Sequence, residues 1–110
     1  MLVRMAVVVT DMINDFIHPK GSLPLLPARE IVPNVAMLCK AAMERGVPVV
    51  FCGDSLPEKS PEHAIWPRHG MKGTWGARFI DELGEPTRYV EKAGFTPFFG
   101  TKLAEGVREL

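Results

Sequence analysis

The alternation of apolar runs with polar segments divides the chain into predicted strands and helices. Residues 5–10 (MAVVVT) and 47–52 (VPVVFC) are continuous apolar runs rich in β-branched side chains, which is typical of strands buried on both faces of a parallel sheet. Residues 87–91 (TRYVE) predict a third strand. Apolar residues recur at helical spacing over 31–43, and Gly46 follows where helices commonly end.

The remaining segments complete a regular strand–helix alternation. Residues 74–83 predict a short helix that Gly84 ends, and a last helix begins near Thr101. Residues 53–75 form a long loop, and long loops in compact domains are usually functional. The order β-α-β-α-β-α predicts a three-layer α/β/α domain with a Rossmann-like parallel sheet.

Charged residues follow all three predicted strands. They are Asp11, Asp54 and Lys92, and in open parallel sheets ligands bind beyond the carboxyl ends of the strands. A polar residue after a strand also commonly caps a helix, but three that converge favour a site. A carboxylate beside an ammonium stabilises the ionised form of both groups. Such a pair offers a base and a cation for nucleophilic catalysis, and the nucleophile is missing from the set.

Length and composition narrow the class of protein. The 110 residues suit one domain. Thirteen basic and thirteen acidic residues cancel, so nothing indicates the basic field of a nucleic-acid or membrane-surface binder. Neither a membrane span nor a signal peptide is evident in the sequence. Two cysteines form neither a disulfide framework nor a zinc cluster, so we expect reduced thiols and a cytoplasmic protein.

Three segments resemble the isochorismatase-like hydrolase superfamily, which includes nicotinamidases and other cysteine hydrolases. VVVTDMINDF is similar to the first strand and loop of that family. WPRHGMKGTWGARFIDEL is similar to its WP-x-H…GT-x-GA segment, and YVEKAGFTPFFGTKL to its K-x-x-x-[ST]-x-F-x-G-T segment. The resemblance implies that residues 1–110 are the N-terminal two thirds of such a domain. It also implies three strands of an expected six, in the order 3-2-1-4-5-6.

The resemblance implies a triad of Asp, Lys and Cys that hydrolyses the C–N bond of a small amide, as nicotinamidases do. Asp11 matches the base, and Lys92 matches the cation that stabilises the thiolate. Phe16 matches an aromatic residue that lines the substrate pocket. The family's cysteine follows a fourth strand, so neither Cys39 nor Cys52 stands at its position. We therefore expect this chain to lack the nucleophile.

The resemblance also implies a divalent metal, although the donor set is incomplete. Nicotinamidases bind it through an Asp, a His two residues later and the His of WP-x-H. Asp54 and His69 match the first and last of these, but Leu56 occupies the middle position. His63, from the same loop, is the expected replacement. Zinc, manganese or iron would suit these ligands, and without a metal Asp54 would orient the loop.

Alternatives remain open at this point. The chain is either a hydrolase domain or a non-catalytic remnant that serves as an interaction module. True isochorismatases cleave a vinyl ether by protonation, and Asp11 would then be a general acid. Receiver domains also place carboxylates and a Lys at strand ends, but Asp11 has no adjacent acidic partner. We also expect a homo-oligomer, because the apolar first strand would otherwise leave an unpaired edge.

Overall fold

The computed structural model describes residues 4–110, which form a three-stranded parallel sheet with helices on both faces. The strands are β1 (Val7–Thr10), β2 (Val49–Asp54) and β3 (Arg88–Lys92). Their order is β1-β2-β3, with β2 in the middle. The predicted α/β class is confirmed, and the order agrees with the first three strands that the resemblance implies.

Within the described residues, three α-helices accompany the sheet: α1 (Asn14–Ile17), α2 (Val32–Glu44) and α3 (Leu103–Glu109). Helix α2 packs on one face, in a cluster that includes Val9 and Phe51. Helix α3 packs on the other face, where Leu103 contacts the alternate residues of β2. Four 3₁₀ turns interrupt the loops, at Leu26–Ile31, Pro61–Ala64, Trp75–Ala77 and Asp81–Leu83. Among residues 4–110, no helix has the length and apolar character needed to cross a membrane.

The prediction that the first two strands are buried on both faces is correct for β2 and wrong for β1. Every residue of β2 is buried. In β1, Val9 is buried under α2, whereas Val8 on the opposite face is 41% exposed. The reason is the position of α3, which covers Val50 and Cys52 of β2 and stops short of β1.

The predicted helix over residues 74–83 is also wrong, because its middle is extended. The N–H of Asn14 donates to the Arg78 carbonyl at 2.8 Å, and the N–H of Ile80 donates to the Met12 carbonyl at 3.0 Å. Phe79 thereby forms an antiparallel bridge with Ile13. The backbone groups that a helix would need are used to fasten this segment to the loop after β1.

Candidate active site

The carboxyl ends of the three strands bring Asp11, Asp54 and Lys92 into one ion-paired group. The Lys92 Nζ lies 2.7 Å from Asp54 Oδ1 and 3.2 Å from Asp11 Oδ2. It also donates to the Gly94 carbonyl at 3.0 Å. Lys92 is 2% exposed, so its charge is compensated almost entirely by these oxygens. Asp54 and Lys92 meet because they are register partners at the ends of β2 and β3.

Asp11 occupies a strained backbone conformation at the end of β1. Its φ is 60°, in the left-handed region that non-glycine residues rarely adopt, at a typical cost of about 1–3 kcal/mol. The strand is still anchored there, because the Asp11 N–H donates to the Cys52 carbonyl at 2.7 Å. The Asp11 Oδ1 is buried and has no hydrogen-bond partner among the described residues. One oxygen therefore faces Lys92, and the other lies buried beside it.

The electrostatics of the group suit a base beside a fixed cation. Burial raises the pKa of Asp11, the charge of Asp54 raises it further, and Lys92 offsets only part of this. Burial acts to lower the pKa of Lys92, but the hydrogen bond to Asp54 and the charges of Asp11 and Asp54 raise it overall. Lys92 therefore stays protonated, while Asp11 holds a proton more readily than an ordinary aspartate.

Both cysteines are free and buried. Cys39 is buried on α2, and Cys52 is fully buried under α3. Burial raises the pKa of both thiols, and the Asp11 charge raises that of Cys52 further, against a lowering by Lys92. Because the thiolate is the reactive form, a raised pKa disfavours the reactive state of both thiols.

The second oxygen of Asp54 faces a buried cluster that could hold a metal. Asp54, Glu62 and His69 each offer one ligand atom, and these atoms lie within 4.8 Å of one another. The His69 Nε2 is 3.8 Å from Asp54 Oδ2 and 3.6 Å from Glu62 Oε1. Asp54 thus joins the ion-paired group to the metal-ligand cluster.

The orientation of the His69 ring leaves its Nε2 facing the two carboxylates. Its Nδ1 lies 2.6 Å from the Pro67 carbonyl, an acceptor that requires the proton on Nδ1 in the neutral ring. The lone pair on Nε2 would then face two carboxylates. Nε2 is thus the ring atom that could serve as a metal ligand.

The third member of the cluster is Glu62 rather than His63, the ligand expected from the sequence. The 3₁₀ turn Pro61–Ala64, capped by Ser60, directs Glu62 inward. The His63 Nε2 instead lies 3.1 Å from the Pro57 carbonyl. Sequence reasoning missed Glu62 because a single glutamate in a long loop carries no signal of its own. The capping pattern S-P-E was the available clue.

Phe16 and Leu56 complete the surroundings of His69. The Phe16 ring centroid is 5.3 Å from that of His69, so the expected pocket residue does lie beside the cluster. Leu56, at the position where nicotinamidases have a histidine, is fully buried. Its backbone bonds to the His69 loop, since its N–H donates to the Gly70 carbonyl at 2.7 Å.

The fold is of the α/β class with a charged site at its strand ends, and comparison with known proteins gives the family. The isochorismatase domain family matches residues 5–110. The chain therefore belongs to the isochorismatase family, as the three sequence segments implied.

Three relatives show the range of this family. The chain is 31% identical, over 89% of its length, to an Arabidopsis thaliana protein described as a probable inactive nicotinamidase. It superposes with a TM-score of 0.88 and 36% identity on N-carbamoylsarcosine amidase from Thermoplasma acidophilum. It also superposes with a TM-score of 0.83 and 32% identity on pyrazinamidase of Pyrococcus horikoshii in complex with zinc. Each superposition covers 97% of this chain.

The chain is shorter than these relatives. It spans 56% of the Arabidopsis protein, 62% of the Thermoplasma chain and 65% of the Pyrococcus chain.

Proposed function

We propose that this domain supplies the base, the cation and the metal ligands of an amidase-type cysteine hydrolase, which cleaves the C–N bond of a small amide. The observation that carries the proposal is the buried Lys92 between Asp11 and Asp54, with Asp11 Oδ1 left without a partner. Amidase and pyrazinamidase relatives of the same fold support it. The substrate is a small molecule, and Phe16 lines its pocket.

In this mechanism Asp11 moves the proton and Lys92 stabilises charge. Asp11 takes the proton of a thiol, the thiolate attacks the amide carbonyl, and the same proton leaves with the amine as the C–N bond breaks. Water then hydrolyses the thioester and returns the thiol. The raised pKa of Asp11 suits a group that both takes and gives a proton. Lys92 is the cation that would stabilise the thiolate and the oxyanion.

The thiol of this mechanism belongs to neither described cysteine. Cys39 and Cys52 are buried with raised pKa values, so the proposal takes the nucleophile from outside residues 4–110. We accordingly propose that these residues are a portion of a longer hydrolase domain, or that a further subunit completes the site.

We propose that Asp54, Glu62 and His69 hold a divalent metal ion. One nitrogen and two carboxylate oxygens suit zinc, manganese or iron, and the Nδ1 contact with Pro67 supplies the outer support that metal-binding histidines usually have. Such an ion would polarise an oxygen of the substrate. His69, Asp54 and Glu62 would orient it, and Asp54 would couple its charge to Lys92.

Metal titration distinguishes the ligand found in the structure from the one expected from the sequence. Zinc is expected to bind the wild-type chain, and Glu62→Gln is expected to weaken binding by more than about tenfold, because it removes a buried charged donor. His63→Ala is the matched control from the same turn, and its affinity should stay within about twofold of wild type. Isothermal titration calorimetry measures both. If His63→Ala weakened zinc binding more than Glu62→Gln did, His63 rather than Glu62 would be the ligand.

An amide turnover assay tests the assignment of the nucleophile. The 110-residue chain alone is expected to bind nicotinamide near Phe16, as followed by amide chemical shifts, without thiol-dependent ammonia release. Phe16→Ala should weaken this binding. Ammonia release that Cys52→Ala abolishes would contradict the proposal and make Cys52 the nucleophile. Turnover that survives removal of both cysteines would favour acid catalysis.

Two further functions have one observation each in their favour. A non-catalytic interaction module of the same fold is favoured by the Arabidopsis relative, which is described as a probable inactive enzyme. A cysteine-independent vinyl-ether hydrolase is favoured by the raised pKa of Asp11, which is what a general acid requires.

We also propose that the domain is a cytoplasmic homo-oligomer. Its two free thiols support the cytoplasm, and the open edge of β1 supports the oligomer.

A further inference from the structure

The Asp15 carboxylate lies where three loop segments meet. Asp15 is 8% exposed. Its Oδ1 accepts the Ser22 N–H at 3.0 Å, and its Oδ2 accepts the Gly70 N–H at 2.9 Å. A Cβ added to Gly76 would lie 1.9 Å from Asp15 Oδ2. The third segment, which contains Gly76, therefore comes so close to the carboxylate that any larger residue would clash with it. One side chain thus fastens parts of the chain that are far apart in sequence.

The contact with Gly70 matters because Gly70 directly follows His69. On the other side, the Gly70 carbonyl accepts the Leu56 N–H at 2.7 Å. Gly70 has a φ of +54°, and a Cβ there would lie 2.7 Å from the Asp54 Cβ. The peptide after His69 is therefore clamped between the Asp15 carboxylate and the end of β2. The clamp thus holds the backbone directly beside the His69 side chain.

We propose that Asp15 is a positioning residue: by holding the Gly70 N–H, its carboxylate sets the His69 Nε2 against Asp54 and Glu62. This inference rests on the proposed metal site. Asparagine is the informative replacement, because it keeps the size of the side chain. Its amide has a single acceptor oxygen and cannot accept the N–H groups of both Ser22 and Gly70 in the same way. Glutamate is too long for the space against Gly76.

The test compares Asp15→Asn with Asp81→Asn, which makes the same chemical change at an exposed site. Zinc affinity of the folded protein is expected to fall about 10- to 100-fold in Asp15→Asn, as for other outer supports of metal ligands. It should be unchanged in Asp81→Asn. A purely structural role would lower the unfolding midpoint of Asp15→Asn and leave the zinc affinity of the folded fraction at the wild-type value, which would overturn the proposal.

Two measurements keep the inference testable if the metal proposal or the variant fails. In metal-free protein, the ¹⁵N shifts of the His69 ring should change in Asp15→Asn and not in Asp81→Asn, and unchanged shifts would overturn the positioning role. A wild-type chain that binds no zinc would end the metal proposal and leave this comparison to decide the role of Asp15.

If Asp15→Asn does not fold, hydrogen exchange measured on the wild-type protein tests the role of Asp15 instead. Zinc should slow exchange at the Gly70 amide at least tenfold, because coupling between the two sites is reciprocal, and an unchanged rate would refute the proposal.

Discussion

Replacing Lys92 with methionine is expected to lower the free energy of unfolding by about 3–5 kcal/mol, the usual cost of removing one partner from a buried ion pair. The side chain is 2% exposed and is the cation for both Asp11 and Asp54. Methionine fills similar space but leaves two negative groups facing each other, one of them 5% exposed. Urea denaturation measures the loss.

The matched control is Lys40→Met, on the surface of α2. Lys40 and Glu44 are 4.0 Å apart, with side chains 80% and 60% exposed, and exposed pairs at this helical spacing contribute about 0.3–0.5 kcal/mol. A Lys92→Met variant as stable as Lys40→Met would show that the three strand-end charges do not form the compensated group described above.

The pKa shifts of Lys92 and Asp11 determine how the stability lost in Lys92→Met changes with pH. Despite the lowering effect of burial, the pKa of Lys92 is raised above 10.5 by Asp54 and Asp11. Its stabilising contribution is therefore complete below pH 10.5 and is lost as pH rises through the folded-state value. Toward acid, Asp11 takes up a proton and then needs no neighbouring cation. Burial raises the pKa of Asp11 above 3.8. As the pH is lowered, the difference in unfolding free energy between Lys92→Met and wild type should therefore begin to shrink while the pH is still above 3.8.

The ion-paired group was predictable from sequence because it depends on topology alone. Alternating strands and helices put the carboxyl ends of parallel strands at one edge, so Asp11, Asp54 and Lys92 had to be neighbours. No detail of packing enters this argument. The strand boundaries differ by one or two residues from those predicted, and the three charges are still neighbours.

The metal-ligand cluster was less predictable because it depends on how loops fold. Whether Glu62 or His63 points inward is decided by one 3₁₀ turn, and adjacent residues on such a turn point in different directions. Residues 78–80 are extended because they form hydrogen bonds with the loop after β1. The residues of that loop are distant from them in sequence. Helical periodicity over 74–83 carries no information about those partners.

The 110-residue chain is expected to associate through β1 rather than remain a monomer. The N–H groups of Val7 and Asp11 bond to the β2 side. By the alternation of a parallel strand, Val8 and Thr10 direct their peptide groups away from β2. Within residues 4–110, β1 pairs only with β2, and Val8 is exposed on the face that α3 leaves open. An apolar edge with free peptide groups accepts another strand.

Sedimentation of Val8→Lys and Met37→Lys tests whether that edge drives association. A lysine on an edge strand opposes strand addition, so Val8→Lys is expected to weaken self-association at least about tenfold, which corresponds to about 1.4 kcal/mol. Met37 is 65% exposed on α2, and the same change there should leave association unaltered because it is remote from β1. Equal effects would place the contact elsewhere. A wild-type chain that sediments as a cooperatively folded 12.2 kDa monomer would show that water satisfies the β1 edge well enough without a partner strand.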